Sequence, residues 1–577
     1  MRSLRRPRWL DGRPPTRGAA AGLVGLLVLL VLFGARLVYT GHQQSFTPDE
    51  PHNAGTALYL WESGDYHFAR SLRFHPPLPF HLAGLPLLAL DLDHLEPSPT
   101  LGTQLTHGTE PPPDLVRLLT RMPFVALACW GAVLIFLWAR EAAGLSAGLL
   151  ATFLYTFSPM ILANGSLAHS DITVTVLYLQ TLYAFWRWHR APAPARLALC
   201  GLSLGLALLA KLSGLLLLPM LGALLLATAL GWRPLAGPER SRDVAAVAAR
   251  LGWAASRWTA LAAIAVGVVW LGYGGSFALA EGLNGPLEGR TLPGYVHALF
   301  VDLVANERGR AVFFFGQIYE KSPWYVLPTA FALKTPLAVL GLLALAIALP
   351  RREKGLGLFL GIPTLFYALV AFFWLRVPLG LRYVLPLYPL LHLYIATRLA
   401  PVHSMAARAA LVAGCAWLAG SSLWIHPHYL AYFNELLGGP RHAYRQLVDS
   451  NLDWGQDLGT LADHLEKRGN PPVWLAYFGF EKPARYGLRA VQLRSCEPVT
   501  GLVAISATLL QGIYSPTNPF QRAPDGCFDW LLEREPVAQP GYSILVYEIA
   551  DPERGSGSER SLVPRASQPR LEGLEAR

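Results

Sequence analysis

Charge is scarce in this sequence: Asp, Glu, Lys and Arg make up 15% of its 577 residues, against about 25% in an ordinary soluble domain. Hydrophobic residues reach 53% and mean hydropathy is +0.34. The deficit excludes a soluble cytosolic globule, and the composition excludes disorder, which needs low hydrophobicity and high net charge. No zinc knuckle, helix-turn-helix pattern or strip of basic and aromatic residues is present, so nucleic acid is not a partner. No tandem or inverted repeat interrupts the chain. Five cysteines occur, and Cys129, Cys200 and Cys415 lie inside apolar runs, where a thiol behaves as a small hydrophobe.

What remains is a succession of apolar runs. A helix rises 1.5 Å per residue, so about 20 mostly apolar residues cross a hydrocarbon core. About eleven runs qualify, near residues 19–40, 118–138, 145–163, 172–188, 195–211, 213–231, 259–278, 327–349, 357–375, 382–399 and 407–425. The first is longer than a signal-peptide core and lacks a small-residue cleavage site before His42, so it reads as an anchor.

The 48 Lys+Arg against 38 Asp+Glu give a formal +10, and the excess sits at the ends of these runs. Arg2, Arg5, Arg6, Arg8, Arg13 and Arg17 precede the first run, which keeps residues 1–18 in the cytoplasm. Alternation from that start predicts further basic cytoplasmic connections. They occur at Arg140, at Arg187, Arg190 and Arg196, from Arg233 to Arg257, at Arg351, Arg352 and Lys354, and at Arg398 and Arg408. The expected layout is a transmembrane module over 19–425, with a first outer loop at 42–117; for a bacterial source, which the resemblance of the motifs below implies, that side is the periplasmic side of an inner membrane.

Three outer stretches are long or polar: 42–117, 279–326 and everything after His426. The apolar segment 78–90 is broken by Pro79 and Pro86 and too short to span, so it is expected to lie at the interface. Residues 426–550 read as a small periplasmic α/β domain, with a helix around 455–467 and strands near 473–478, 501–506 and 543–548. Its Cys496 and Cys527 either close a loop in an oxidising compartment or remain free thiols. Residues 551–577 are polar and read as a disordered tail.

The residues that can carry chemistry cluster on the outer side. The first loop opens FTPDEPHNAGTALYLW and continues to RFHPPLPFHLAG, so Asp49 and Glu50 lie close to a span end. Asp171, in GSLAHSDITV, starts a later span on the same side and can approach Asp49. Helix capping and the helix dipole account for single acids at such positions. Among the outer cations, Arg121, Lys211, Lys334, Arg376 and Arg382, an ionisable group within a span costs about 2.5–3.5 kcal/mol on insertion scales, which gives Lys334 and Arg382 polar partners. Snorkelling to the interface explains Lys211 and Arg376. Aromatic residues such as Trp324, Tyr325 and Trp424 fall near span ends, where interface anchoring accounts for them.

The run DEPHNAG followed by HPPL resembles the first-loop signature of the protein O-mannosyltransferases, and the layout resembles bacterial glycosyltransferase family 39. FFFGQIYEKSPWYVLPTAFALKTPL resembles the late outer loop of bacterial members, and LRYVLPLYPLL their late span. The resemblance extends over residues from about 15 to 425. HPHYLAYFNELLGGPRHAYRQLVDSNLDWGQDL is similar to a region of a bacterial subgroup whose acceptor is unassigned. The resemblance implies the GT-C membrane fold and an inverting transfer of mannose or a similar sugar from a polyprenyl-phosphate carrier to a hydroxyl acceptor on the outer face. His75 stands where aminoarabinose transferases carry Lys-Pro, a departure that leaves the donor sugar open and favours the mannosyltransferase comparison.

Elementary chemistry agrees with that implication. An alcohol needs a carboxylate to accept its proton as it attacks, and the resemblance gives Asp49 this role, with Glu50 and Asp171 positioning the acceptor or tuning the base. The leaving phosphate needs fixed donors, for which His75, Arg121, Lys334 and Arg382 are the candidates. No phosphate-cradling Gly loop or Rossmann fingerprint supports a nucleotide-sugar donor. Seven histidines occupy the first loop (His42, His52, His67, His75, His81, His94 and His107) without HExxH or paired spacing. No metal is assigned to them or to His426 and His428, a Glu/His site built across loops stays open, and divalent-metal dependence is unread. The expected partners are the lipid-linked donor, membrane lipids and an acceptor glycan, lipid or protein. A transporter or flippase of a lipid-linked or anionic substrate is the main rival, since intramembrane cations and Pro-broken helices also mark substrate pathways, and a non-catalytic glycan-binding subunit is a third reading.

Overall fold

The computed structural model of the protein describes residues 17–64, 66, 75–92, 101–107, 111–231, 244–275, 279–281, 291–349, 355–377, 379–518 and 521–550. The basic stretch before Arg17, His67, His94, the basic loops around Arg233–Arg242 and 350–354, and the tail after residue 550 lie outside these residues.

Within the described residues each of the eleven apolar runs is mostly helical, but fewer helices meet a strict spanning criterion. Among the described residues five are long and apolar enough to cross a bilayer: Ala20–Gln43, Pro113–Ala143, Leu212–Ala229, Val244–Gly272 and Met405–Trp424. Two bent pairs raise the number to seven, Leu145–Thr156 with Pro159–Gly165 at 64° and Val326–Lys334 with Leu337–Ala348 at 101°. Both bends sit before a proline. Ser158 (ψ 117°) and Thr335 (ψ 128°) are extended, the conformation a following pyrrolidine ring enforces, and the proline then starts or immediately precedes the next helix. Pro194–Ala210 and Phe359–Trp374 are apolar but short, and Ser170–Arg190 carries polar ends at Asp171 and Arg187–Arg190.

Small residues let these helices approach closely. A Cβ on Gly201 would lie 2.8 Å from Ile264 and one on Gly205 2.5 Å from Val268. The four-residue spacing of the two glycines seats helix Pro194–Ala210 directly on Val244–Gly272. The expected interfacial segment forms helix Leu78–Gly84 and a 3-10 turn Leu85–Ala89. Phe80, Ala83 and Leu87 are buried there, while Leu85 and Leu88 are exposed.

After helix Met405–Trp424 the chain becomes a mixed sheet domain. Strands run in the order 490–492, 473–476, 501–506, 544–549. The pairs of 473–476 with 490–492 and with 501–506 are parallel, and 544–549 joins 501–506 antiparallel. The short strand Ala490–Gln492 escaped the sequence reading, because three residues show no alternation. Period-two geometry divides the sheet's burial. Leu502 and Ala504 face Leu458, Leu461 and Leu465 of helix Leu458–Glu466, while Val503 and Ile505 belong to the large core shared with the helical module. The sheet domain is thus packed onto the helices rather than tethered beside them. Cys496 and Cys527 are disulfide-bonded, with Cα atoms 4.6 Å apart.

Candidate functional site

Asp49 and Glu50 are the first two residues of helix Asp49–Ser63, and their side chains part company. Glu50 is fully buried. Its Oε1 accepts from Arg121 Nε (2.8 Å) and the Ala168 amide (2.9 Å), and its Oε2 accepts from Arg121 Nη2 (2.6 Å) and from the amide and hydroxyl of Thr47 (2.9 and 3.1 Å). Burial alone would raise the Glu50 carboxyl, but the Arg121 guanidinium beside it wins and holds it at about 2.

Arg121 has no donor to spare. Beyond its two bonds to Glu50 it donates to the carbonyls of Gly41 (2.5 Å), Gln44 (2.9 Å) and Ser45 (2.8 Å), which uses all five N–H groups of a guanidinium. Arg121, expected to bind the donor phosphate, and Glu50, expected to position the acceptor or tune the base, spend their hydrogen-bonding atoms on each other and on the surrounding chain. Lys334, the other buried candidate for the phosphate, is likewise engaged. Completely buried, it donates to the carbonyls of Leu430 (2.9 Å), Tyr432 (2.9 Å) and Asn451 (2.5 Å). Those three bonds exhaust an ammonium group, and they tie the sharply bent helix pair to the chain leading into the sheet domain.

Asp49 has the opposite setting. Its side chain is 53% accessible, with Oδ2 3.9 Å from Arg382 Nη1 and 4.0 Å from His169 Nδ1. Arg382 also reaches Asp171 Oδ2 at 3.3 Å, and Lys211 Nζ reaches Asp171 Oδ1 at 2.5 Å. Lys211 is therefore a member of this cluster and does not snorkel. Two cations share one buried carboxylate, which leaves a formal positive charge facing Asp49.

His75 lies within electrostatic reach of Lys211, Asp49, Arg382 and Asp171. Its ring is accessible, yet enough protein surrounds it that burial, together with Lys211 and Arg382, lowers it to about 4. It is a neutral ring in the resting site. Asp302 and Arg310 are also accessible. Burial by the surrounding protein raises the Asp302 carboxyl against the pull of Lys211, and Arg310 Nη2 donates to Tyr514 (3.1 Å), which donates to Asp449 (2.7 Å). Asp302 is within electrostatic reach of Lys211, and Arg310 of Asp449 and Tyr383, so the ionisable groups continue outward from the Lys211–Asp171–Arg382 cluster along what is here called the groove.

The structure thus brings Asp49, His75, Asp171 and Arg382 together, places Glu50 and its partner Arg121 behind them, joined through Thr47 to His169, and engages Lys334 with backbone carbonyls. Arg376 is exposed and away from these contacts, its amide donating to Asn306 Oδ1 at 2.7 Å. Sequence reasoning missed His169, two residues before Asp171, and Tyr383, over which Lys211 sits at 4.4 Å and Arg382 at 5.5 Å. Adjacency to a candidate acid was the available signal for the first, and adjacency to Arg382 for the second. Among the described residues no three His, Cys, Asp or Glu side chains converge as a metal site.

Residues 26–278 match the family model described as dolichyl-phosphate-mannose-protein mannosyltransferase. No curated protein matches. Among solved structures, the chain is similar to ArnT from Cupriavidus metallidurans bound to undecaprenyl phosphate, at 13% identity over 92% of this chain and 98% of that one, with TM-score 0.47. The Pmt1-Pmt2 protein O-mannosyltransferase complex of S. cerevisiae, bound to the sugar donor, matches at 14% identity over 51% of this chain and 39% of that one, with TM-score 0.35. AglB, the oligosaccharyltransferase of Archaeoglobus fulgidus in complex with an inhibitory peptide and a dolichol-phosphate, matches at 13% over 69% and 56%, with TM-score 0.39. The stretch that the family model matches, residues 26–278, carries Asp49, His75, Asp171 and Lys211.

Proposed function

We propose that the protein transfers a sugar, mannose or a close relative, from a polyprenyl-phosphate carrier to a hydroxyl acceptor, with inversion, on the periplasmic face of a bacterial inner membrane. The observation that carries this reading is the opposition of accessible Asp49 to the Lys211–Asp171–Arg382 cluster, whose Arg382 lies 3.9 Å from it.

A proton acceptor and a surplus positive charge on one groove are what the two ends of the transfer require. Asp49 takes the acceptor's hydroxyl proton as its oxygen bonds to the anomeric carbon. The bond from that carbon to the phosphate oxygen breaks, and its electron pair leaves with the carrier phosphate. Negative charge grows on that phosphate, and Arg382 and Lys211 meet it with charge-assisted hydrogen bonds. Asp171 holds both cations without cancelling both, and neutral His75 adds a donor from the first loop. The sheet domain lies beside this groove and forms part of the path by which an acceptor arrives.

The test is reconstitution with radiolabelled polyprenyl-phosphate mannose, comparing wild type with Asp49→Asn. Bond cleavage and label transfer by wild type, lost in the folded variant, are expected. Equal turnover in both removes Asp49 as base, and movement of intact donor across the bilayer without cleavage replaces the enzyme by a transporter.

A further inference from the structure

The sheet domain places one aromatic side chain, Trp454, against both His169 and Arg382. Trp454 is 4% exposed. His169 stacks on its indole with ring centroids 4.3 Å apart and planes 19° from parallel, and the Arg382 guanidinium lies 4.0 Å from the ring centre. Both side chains also lie beside Asp49 Oδ2, at 4.0 and 3.9 Å. We infer that Trp454 is a positioning residue, holding His169 and Arg382 at the distances from Asp49 that the transfer uses. The inference rests on the reaction proposed above.

The local sequence SNLDWGQD is built to present this indole. Ser450 Oγ donates to the Leu379 carbonyl, and the Leu381 amide donates to Asn451 Oδ1 (2.9 Å), so the segment is fastened to the turn that delivers Arg382. Asp453 accepts from the Gly455 amide (3.2 Å) and the Thr508 amide (2.9 Å), which anchors the other side to the sheet. The Trp454 amide donates to Gln456 Oε1 (2.7 Å), while the Gln456 carbonyl accepts from the Ser45 amide (2.9 Å) at the start of the first loop. Gly455 has φ +72°, and a Cβ there would lie 2.3 Å from the Phe478 carbonyl oxygen, so only glycine turns the chain here.

His169 is fixed from its far side as well. Thr47 Oγ1 has one hydrogen, which it gives to Glu50 Oε2 (3.1 Å), so it accepts from His169 Nε2–H at 2.7 Å. A neutral ring then presents an unprotonated Nδ1 toward Asp49, an assignment made from the hydrogen-bond network. Stacking and this bond together leave the imidazole one orientation. For Arg382, a guanidinium over an indole combines stacking with attraction to the ring's negative face, which directs its fork toward Asp49 and Asp171.

Trp454→Ala should lower kcat by about 10- to 100-fold, the scale of small misplacements in a reacting site. KM should stay within about threefold, because Lys211 keeps its place on Asp171 and the phosphate charge that Arg382 meets grows only in the transition state. Trp454→Phe, which keeps an aromatic face, should restore most of the rate, and a folded Trp454→Ala protein with wild-type kcat overturns the inference. A second readout does not depend on turnover. In protein labelled with 5-fluorotryptophan, the Trp454 fluorine resonance, identified by its loss in Trp454→Phe, should shift when Asp49→Asn is introduced, through His169 and Arg382. No shift overturns the inference. Absence of turnover with polyprenyl-phosphate mannose in wild type, with that shift present, instead rejects the proposed reaction and keeps Trp454 in its positioning place.

Discussion

Asp49 and Glu50 are neighbours in sequence with nearly the same chemistry, and the fold gives them opposite employment. Asp49 is half exposed in a groove where cations outnumber the carboxylate they share. Glu50 is enclosed in a knot where every oxygen and every Arg121 donor is matched. An ionised group with unspent hydrogen-bonding capacity can act on a substrate, whereas a saturated one can only hold structure. Lys334 belongs with the knot by this criterion, and Lys211 and Arg382 with the groove.

The largest expected effect follows from the groove side. Asp49→Asn should reduce transfer by about 10²–10⁴-fold, the contribution of a positioned general base, while leaving the thermal unfolding midpoint in detergent unchanged. Rate loss together with a lowered midpoint would place Asp49 in the structural class and dissolve the contrast.

Glu50→Gln should do the reverse. Removing one partner of a buried ion pair costs about 3–5 kcal/mol, because the other charge is left without compensation. The variant should therefore show a lowered unfolding midpoint and poor folded yield, and whatever folds should keep its KM for donor. Arg121→Lys should fail to rescue, since an ammonium cannot supply five donors in a plane. A Glu50→Gln protein of wild-type stability that has lost only kcat would move Glu50 into the groove.

This division was partly legible in the sequence. The apolar runs, the basic connections and the DE…HPPL…SD series identified the helical module and brought Asp49, His75 and Asp171 to one place, because those signals are local and periodic. Saturation was not legible. Arg121, Lys334 and Arg382 read alike as cations near outer span ends, and they differ only in which carbonyls the folded chain brings to them: Gly41, Gln44 and Ser45 for the first, Leu430, Tyr432 and Asn451 for the second. Proline bends and short helices were likewise not legible, and they are why five helices, or seven with the bent pairs, meet the spanning criterion among the described residues where the sequence shows eleven apolar runs. The sheet domain's helix and three of its strands were visible from alternation, but the insertion of Trp454 depends on contacts hundreds of residues apart.

A somewhat smaller effect separates the sheet domain from both. Replacing Cys496 and Cys527 by serine releases a cross-link between residues 31 positions apart, worth about 3–4 kcal/mol on the chain-entropy model. Because neither cysteine touches the groove, the midpoint should fall while kcat of the folded protein stays within twofold of wild type. A large change in kcat at unchanged stability would mean that the disulfide holds the Trp454 segment in register.

The smallest effect is a pH dependence of stability carried by the Glu50–Arg121 pair. Arg121 holds Glu50 at about 2 against an ordinary value of 4.5, so between these values the unfolded chain binds a proton that the folded chain refuses. Stability from Glu50 is therefore complete above pH 4.5 and is lost as pH falls through 2, with a slope of at most about 1.4 kcal/mol per pH unit for one proton. Subtracting the stability curve of Glu50→Gln from that of wild type isolates this slope from other carboxylates. A flat difference curve would mean that Arg121 does not hold the ionised carboxylate in the folded state.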